Sequence, residues 1–103
     1  TITRMVYVED EIHCEQEGPF ASFEHAIAEL HRRSLIAWDL PPNQAPCISW
    51  QTCGRKYYVV EFDERSEPWF VVRKAHALDI SAKGATWVEG FEADWNGRAH
   101  PSP

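Results

Sequence analysis

Three cysteines and five histidines are the side chains of this sequence best suited to metal or nucleophilic chemistry. Cys47 and Cys53 are separated by five residues, and His13 and Cys14 lie far upstream. Structural zinc sites usually pair their ligands two to four residues apart, and these cysteines do not follow that spacing. A composite site of all four residues requires that the acidic loop with His13 and Cys14 folds against the segment with the other two. We expect buried structural thiols instead, and we predict no metal and no cofactor.

Cys53 precedes Gly54 and Arg55, and an arginine near a thiol can hold the thiolate form. The fixed interval from Cys to Arg in a phosphatase loop is absent, however, so Gly54 is better explained as a turn or bulge. No Ser–His–Asp order, paired-carboxylate motif or phosphate-cradling glycine loop is recognisable either. The sequence therefore specifies no reaction, and the balance favours a protein that is not an enzyme.

Tryptophan occurs five times in this chain, which is high for its length. Trp is favoured in cores and at interface hot spots alike, because it combines a large contact area with a polar N–H. We expect most of these rings to fill the small core and some to form a surface for a partner or ligand. The residues of this predicted binding surface are Trp38, Trp50, Arg55, Tyr57, Trp69, Arg73 and His76.

His76 alternates with apolar residues on the strand face that we assign to the core. This position favours a core-edge histidine that is hydrogen-bonded to backbone, with a catalytic histidine as the alternative. Glu61 and Arg73 fall on the same side of neighbouring predicted strands, which favours a cross-strand ion pair.

A chain of 103 residues has room for one hydrophobic core and not for a second domain. Its net charge of −6 repels a phosphate backbone, which disfavours nucleic-acid binding. No apolar run approaches the ~20 residues that a membrane-spanning helix needs. Three cysteines, an odd number, fit reduced thiols better than a disulfide-framed secreted domain, so we expect a cytoplasmic location.

The hydrophobic pattern predicts an α+β domain with one helix and a four-stranded, mainly antiparallel sheet, in the order β-α-β-β-β. The first strand covers 2–9 and is apolar on both faces, as in a central strand. The acidic segment 9–19, which ends in Gly-Pro, is predicted to be a loop. Ser22 is the expected N-cap of an amphipathic helix that continues to about Ile36, with Glu24 in its first turn.

An antiparallel meander of three strands is predicted over 55–63, 69–78 and 85–92. Residues 1–95 are expected to form the single domain, and the tail 96–103 is predicted to be disordered. The sheet face that we assign to the helix carries Tyr58, Val60, Phe62 and His76. The opposite face is expected either to lie under the crossover or to be exposed for binding, and it carries Tyr57, Val59, Trp69 and Val71.

The crossover 38–54 is rich in proline, which rules out a regular helix and a central strand. It also carries Trp38 and Trp50, and a flexible linker would not contain two tryptophans. We therefore predict an ordered crossover whose aromatic rings pack back onto the domain.

A further pattern lies in Trp38-Asp39, Pro42-Asn43, Ala45-Pro46-Cys47, Ser49-Trp50, Thr52-Cys53-Gly54-Arg55 and Tyr57, and the stretch covers about a fifth of the chain. It resembles small uncharacterised bacterial proteins, including the orphan kind carried on mobile elements such as integron gene cassettes. The resemblance implies a bacterial cytoplasmic protein without an assigned activity. It supplies no catalytic residues.

These observations favour a non-enzymatic protein-interaction or binding module with an aromatic surface, which binds another protein or a second copy of itself in a homo-oligomer. The alternative is a small enzyme or small-molecule-binding protein with a pocket between helix, sheet and crossover, using some of His76, Cys53, Arg55 or Asp39. A third option is an adaptor or antitoxin-like protein whose acidic loop docks on a basic partner, since the net charge is −6. None of these functions involves a membrane.

Overall fold

The computed structural model describes residues 4–65 and 70–98, which form five strands and two α-helices. The elements are β1 (Arg4–Asp10), β2 (Glu15–Phe20), α1 (Phe23–Ser34), a 3-10 turn (Trp50–Thr52), β3 (Arg55–Asp63), β4 (Phe70–Ser81), β5 (Gly84–Trp87) and α2 (Phe91–Arg98). All strand pairs are antiparallel, and the strand order in the sheet is β2-β1-β3-β4-β5. The α+β class and the antiparallel sheet are confirmed, whereas the prediction of four strands and one helix is wrong.

Helix α1 begins where the sequence predicts, because Ser22 Oγ accepts a hydrogen bond from the backbone N–H of His25 at 3.2 Å. Its apolar stripe places Ala26 and Leu30 against the sheet, where both are fully buried. The helix ends at Ser34, slightly before the predicted end. Neither helix in the described ranges is long and apolar enough to cross a membrane.

Strand β2 lies inside the segment that we predicted to be a loop, and this prediction is wrong. The strand pairs with β1 from Asp10↔Glu15 to Val6↔Phe20, after a turn in which Cys14 has a φ of 55°. Five of its six residues are exposed, so this edge strand has no buried face and no apolar alternation. Charged residues on an edge strand also oppose pairing with other chains, which is why its composition resembles that of a loop.

Helix α2 lies where we expected a continued strand and then a disordered tail. Strand β5 ends at Trp87, and Phe91 begins the helix. Phe91 and Trp95 are one helical turn apart, and both are buried against the sheet. Residues 96–98 therefore belong to a helix, and residues 99–103 lie outside the described part of the chain.

Both helices pack on the sheet face that carries Tyr57 and Val59, which is the reverse of the predicted assignment. Tyr57 and Val59 are 2% and 0% exposed, whereas Tyr58, Phe62 and His76 on the opposite face stay partly exposed. Strand β3 is apolar on both faces, so alternation separates its two faces but does not say which one meets the helices. The buried core consists of Val6, Val8, Ala26, Leu30, Tyr57, Val59, Ala75, Ala77, Leu78, Ile80, Phe91 and Trp95.

The crossover 38–54 is ordered, as predicted. Asn43 is 1% exposed, and its Nδ2 donates to the carbonyl of Arg33 in the last turn of α1 at 2.8 Å and to that of Ile36 just after the helix at 2.9 Å. Arg55 donates from Nη2 to two carbonyls of the crossover at 3.0 and 3.1 Å. The rings of Trp38 and Trp50 meet with 5.7 Å between their centroids. These contacts hold an irregular segment in place by satisfying its backbone.

We expect Leu30→Ala to lower the free energy of unfolding by about 2–5 kcal/mol, because truncating a fully buried leucine leaves a cavity. Leu35→Ala is the matched control, since Leu35 caps the same helix but is 88% exposed. Its expected effect is below about 0.5 kcal/mol. Urea unfolding followed by circular dichroism measures both, and equal losses would contradict the packing of α1 on the sheet.

Candidate functional site

Three side chains from separate parts of the chain meet at one end of the sheet, and they are His13, Cys47 and Cys53. Their ligand atoms all lie within 4.8 Å of one another, and His13 Nε2 is 3.2 Å from Cys53 Sγ. The acidic loop therefore folds against the crossover, which is the condition that the sequence set for a composite site. Cys14 stays exposed and does not belong to the group.

The turn between β1 and β2 positions His13. Asp10 Oδ1 accepts a hydrogen bond from the N–H of Ile12 at 3.0 Å, a local turn that aspartate favours. The N–H of Glu11 donates to the Lys56 carbonyl at 2.9 Å, which holds the turn over the start of β3. The imidazole therefore lies beside the residues that lead into that strand.

Two successive backbone turns bring the two sulfurs together. The N–H of Trp50 donates to the Cys47 carbonyl at 3.1 Å, and the N–H of Cys53 donates to the Trp50 carbonyl at 3.2 Å. Gly54 follows because strand β4 passes so close that a Cβ at this position would collide with the carbonyl of Ile80. The two cysteines are further apart in sequence than the usual paired zinc ligands, but the 3-10 turn brings their sulfurs close together.

Asp10 fixes the orientation of the imidazole. Its side chain is 2% exposed, and Oδ2 accepts from His13 Nδ1 at 2.6 Å and from Arg55 Nη1 at 2.8 Å. Burial by itself raises the pKa of Asp10, but the hydrogen bonds from Arg55, His13 and two backbone amides outweigh it and hold the pKa below its ordinary value. Because Nδ1 carries the proton towards this carboxylate, Nε2 is the atom presented to the sulfurs.

The two thiols differ in acidity. Hydrogen bonds from the Ser49 hydroxyl and then from His13 lower the pKa of Cys47 to about 7. Burial, followed by the neighbouring Cys47, raises the pKa of Cys53. Burial opposes protonation of His13, but Asp10 and Cys47 outweigh it and raise the pKa of the imidazole. The two sulfurs titrate as a pair, which takes its first negative charge near neutral pH.

One imidazole nitrogen and two sulfurs are the donor set that Zn²⁺ takes in proteins. Zinc–sulfur and zinc–nitrogen bonds of about 2.3 and 2.0 Å put neighbouring ligand atoms of a tetrahedron roughly 3.5–3.8 Å apart. The donors here lie within 4.8 Å of one another, so small side-chain movements are enough to reach that geometry. The buried Asp10 behind His13 is the outer-shell carboxylate that metal-binding histidines usually have.

Two open clefts lie near this group. One of about 430 Å³ runs between β2 and the crossover, and it is lined by Glu15, Gln16, Glu17, Pro41, Pro42, Gln44 and Arg55. The other, of about 400 Å³, is lined by Glu9, Asp10, Glu11, Cys14, Glu15 and Gln16. Within the described part of the chain, neither cleft has Cys47 or Cys53 in its lining, so the sulfurs do not face a substrate-sized space in either one.

Comparison with family models, with curated proteins and with solved structures finds no match to this chain. The resemblance to small proteins of mobile elements therefore stays a prediction. The chemistry of the site is therefore inferred from the geometry of its own residues.

The six described residues of the predicted binding surface do not form one surface. Arg55 is 9% exposed and touches Asp10, so it lies directly behind the cluster. Tyr57 is buried beneath α1 and donates from its hydroxyl to Asn43 Oδ1 at 3.4 Å. Trp38 and Trp50 form the half-buried ring pair of the crossover. Arg55 is thus the member that the structure brings to the site.

Two further residues of the predicted surface, Arg73 and His76, lie elsewhere in the sheet. Arg73 donates to Glu61 at 2.8 Å, which confirms the predicted cross-strand ion pair. His76 lies on the open face, stacked on Tyr58 with Nε2 2.7 Å from the Asp79 carboxylate, so the predicted backbone-bonded histidine on the core face is wrong. Trp69 lies outside the described residues.

Sequence reasoning missed Asp10 as a site residue. The available signal is its position at the end of a predicted strand, three residues before His13. That signal is hidden among the other carboxylates of the same acidic segment. Its partner Arg55 lies 45 positions away, and no local pattern joins the two.

In metal-free protein that carries Cys14→Ser, we expect alkylation of Cys47 by iodoacetamide to rise through a midpoint near pH 7, because its pKa is about 7. Cys53 should react only at higher pH, since its pKa is raised. Timed alkylation across a pH series with peptide mass spectrometry separates the two thiols. Ser49→Ala should move the Cys47 midpoint upward, and a common midpoint for both thiols would contradict the expected asymmetry.

Proposed function

We propose that this domain binds a thiophilic divalent metal ion, with Zn²⁺ as the first candidate, through His13 Nε2 and the sulfurs of Cys47 and Cys53. The proposal departs from our sequence-based expectation of no metal. One observation carries it: three donors of the type that zinc prefers, from the β1–β2 turn and the crossover, converge within 4.8 Å.

The support behind His13 separates this group from a chance contact of side chains. In a chance contact between cysteine and histidine side chains, no further group has to orient the imidazole ring. Here a buried carboxylate holds Nδ1 at 2.6 Å and is itself held by Arg55 at 2.8 Å. This two-layer arrangement is how proteins aim a ligating nitrogen at a metal ion.

The donor set also selects the kind of metal. Thiolate and imidazole ligands favour zinc and other soft or borderline transition metals, whereas Mg²⁺ and Ca²⁺ prefer oxygen ligands. In the described residues the group offers three donors, so a water molecule or an external ligand would complete a tetrahedron. A reducing compartment, which we also propose for this protein, would keep both thiols available.

Metal binding would join the β1–β2 turn to the crossover. Both segments lie outside the regular core, and a shared ion would restrict them together. A ligand that binds only the folded chain stabilises it by about 2.7 kcal/mol when its concentration is 100 times its dissociation constant. Zinc is therefore expected to raise the thermal midpoint of the full chain.

The test is a Co²⁺ titration of the reduced full chain after treatment with a chelator, followed by competition with Zn²⁺. We expect one metal ion per chain and absorption bands of tetrahedral cobalt bound to thiolate. Cys47→Ser should weaken cobalt binding and reduce the intensity of these bands, because one of the two thiolate ligands is lost. Cys14→Ser is the matched control, since Cys14 is exposed and outside the group. A titration without thiolate-to-cobalt bands, or with bands that Cys47→Ser leaves unchanged, would sink the proposal.

The same titration examines the role of Asp10. Asp10→Asn should weaken metal affinity by about 10–100-fold, as expected when an outer-shell partner of a ligating histidine is removed. Asp79→Asn is the control, because Asp79 pairs with His76 at the same spacing along the chain, does not belong to the ligand group and is 49% exposed. Equal affinities in the two variants would argue against an orienting role for Asp10.

A second candidate function is self-association through the crossover, as we expected of an interaction module. The supporting observation is a set of exposed aliphatic side chains near the Trp38–Trp50 pair. Ile48, Leu35 and Leu40 are 103%, 88% and 54% exposed, and each is within three residues of one of the two rings. Exposed apolar side chains close along the chain to an aromatic pair favour a contact surface there.

Light scattering across a concentration series tests this candidate. We expect a dimer mass at high concentration that falls towards the monomer mass of 11.9 kDa on dilution. Ile48→Ser should shift the equilibrium towards monomer, whereas Ile12→Ser, which changes a half-exposed isoleucine of the β1–β2 turn, should not. A monomer mass at every concentration would eliminate the candidate.

A further inference from the structure

We propose that Cys47 and Cys53 form a peroxide-sensitive modification site, at which oxidation to a disulfide releases the bound metal ion. This inference rests on the proposed metal function and names how that site is regulated. Two of the three donors are cysteines, and both belong to one short segment of the chain. One two-electron oxidation can therefore remove two ligands together.

The separation of the two sulfurs supports direct pairing. They lie within 4.8 Å of each other, and a disulfide bond is about 2.05 Å long. The required approach of less than about 3 Å is within the range of side-chain rotation and a small backbone shift. The five residues that join the two cysteines include the 3-10 turn Trp50–Thr52, so both sulfurs belong to one compact segment.

Both sulfurs are open to a small oxidant. Cys47 and Cys53 are half-buried, so a small hydroperoxide can reach the sulfurs. His13 and Asp10 behind them have side chains that are 9% and 2% exposed, and neither is altered by the oxidation. The chemistry would thus act on the thiols and leave the orienting pair in place.

The rest of the crossover has its own attachment to the domain. Asn43 binds carbonyls at the end of α1, and Arg55 binds carbonyls of the crossover from Pro42 to Gln44. The crossover residues in these contacts, 42–44, precede Cys47 in the chain, and Arg55 follows Cys53. Closing the disulfide would therefore rearrange the segment 47–53 and release it from His13, while the sheet and the helices keep their packing.

The reaction balances with a hydroperoxide as the oxidant. One cysteine sulfur attacks a peroxide oxygen, the O–O bond breaks, and the sulfur becomes a sulfenic acid as the first water or alcohol leaves. The second sulfur attacks the sulfenic sulfur, so that an S–S bond forms, the S–O bond breaks and water leaves. Two thiolates lose two electrons, and the peroxide gains two electrons and two protons. His13 is then the one donor of the group that can still bind the metal ion, which is too few to retain it, so the ion dissociates.

The test uses the zinc-loaded full chain with Cys14→Ser, which removes the exposed third thiol. Hydrogen peroxide is added in the presence of a zinc-binding dye, with a parallel sample that also contains catalase. We expect release of one zinc per chain in step with the loss of two thiols, and peptide mapping should find a bond between Cys47 and Cys53. Dithiothreitol should restore zinc binding in full.

The possible outcomes separate this inference from the proposed function. Protein that never binds zinc defeats the metal function and this inference with it. Zinc that binds but is retained under peroxide, or is released without a Cys47–Cys53 bond, overturns the switch and leaves the metal function standing. Release that dithiothreitol cannot reverse points to sulfinic acid and likewise overturns the switch.

Discussion

The buried carboxylate of Asp10 is the group on which most of this architecture depends. It accepts hydrogen bonds from the side chains of Arg55 and His13 and from the amides of Ile12 and Lys56. A charge that is 2% exposed is tolerated only when it is paired and fully hydrogen-bonded, so these partners must assemble together. Since Arg55 also binds the crossover, one ion pair joins β1, its turn, β3 and the irregular segment.

Burial, more than the pairing of aspartate with histidine, makes this end of the sheet chemically distinctive. The fold contains a second such pair, His76 with Asp79, at the same spacing and nearly the same distance. That carboxylate is 49% exposed, and its histidine stacks on Tyr58 on the open face. Around His13 the low exposure strengthens each interaction, and the ring is aimed at two sulfurs.

Prediction from sequence succeeded where local patterns decide the outcome. Ser22 and the apolar stripe behind it specify helix α1, because capping and helical periodicity act within a few residues. It failed at β2, an edge strand with no buried face, and at the choice of sheet face for the helices. Strand β3 has Tyr57 on one face and Tyr58 on the other, so its own sequence does not indicate which face the helices cover.

The sequence by itself determined the fold class, the first helix and the central position of β1. It also determined that the proline-rich crossover has a defined conformation and is not a flexible linker. Each follows from propensity, periodicity or composition within one segment. Only the tertiary structure decided which face is buried, that Asp10 meets Arg55, and that His13 meets Cys47 and Cys53. These outcomes depend on burial and charge pairing between distant segments, and such contacts leave no spacing in the sequence from which they can be derived.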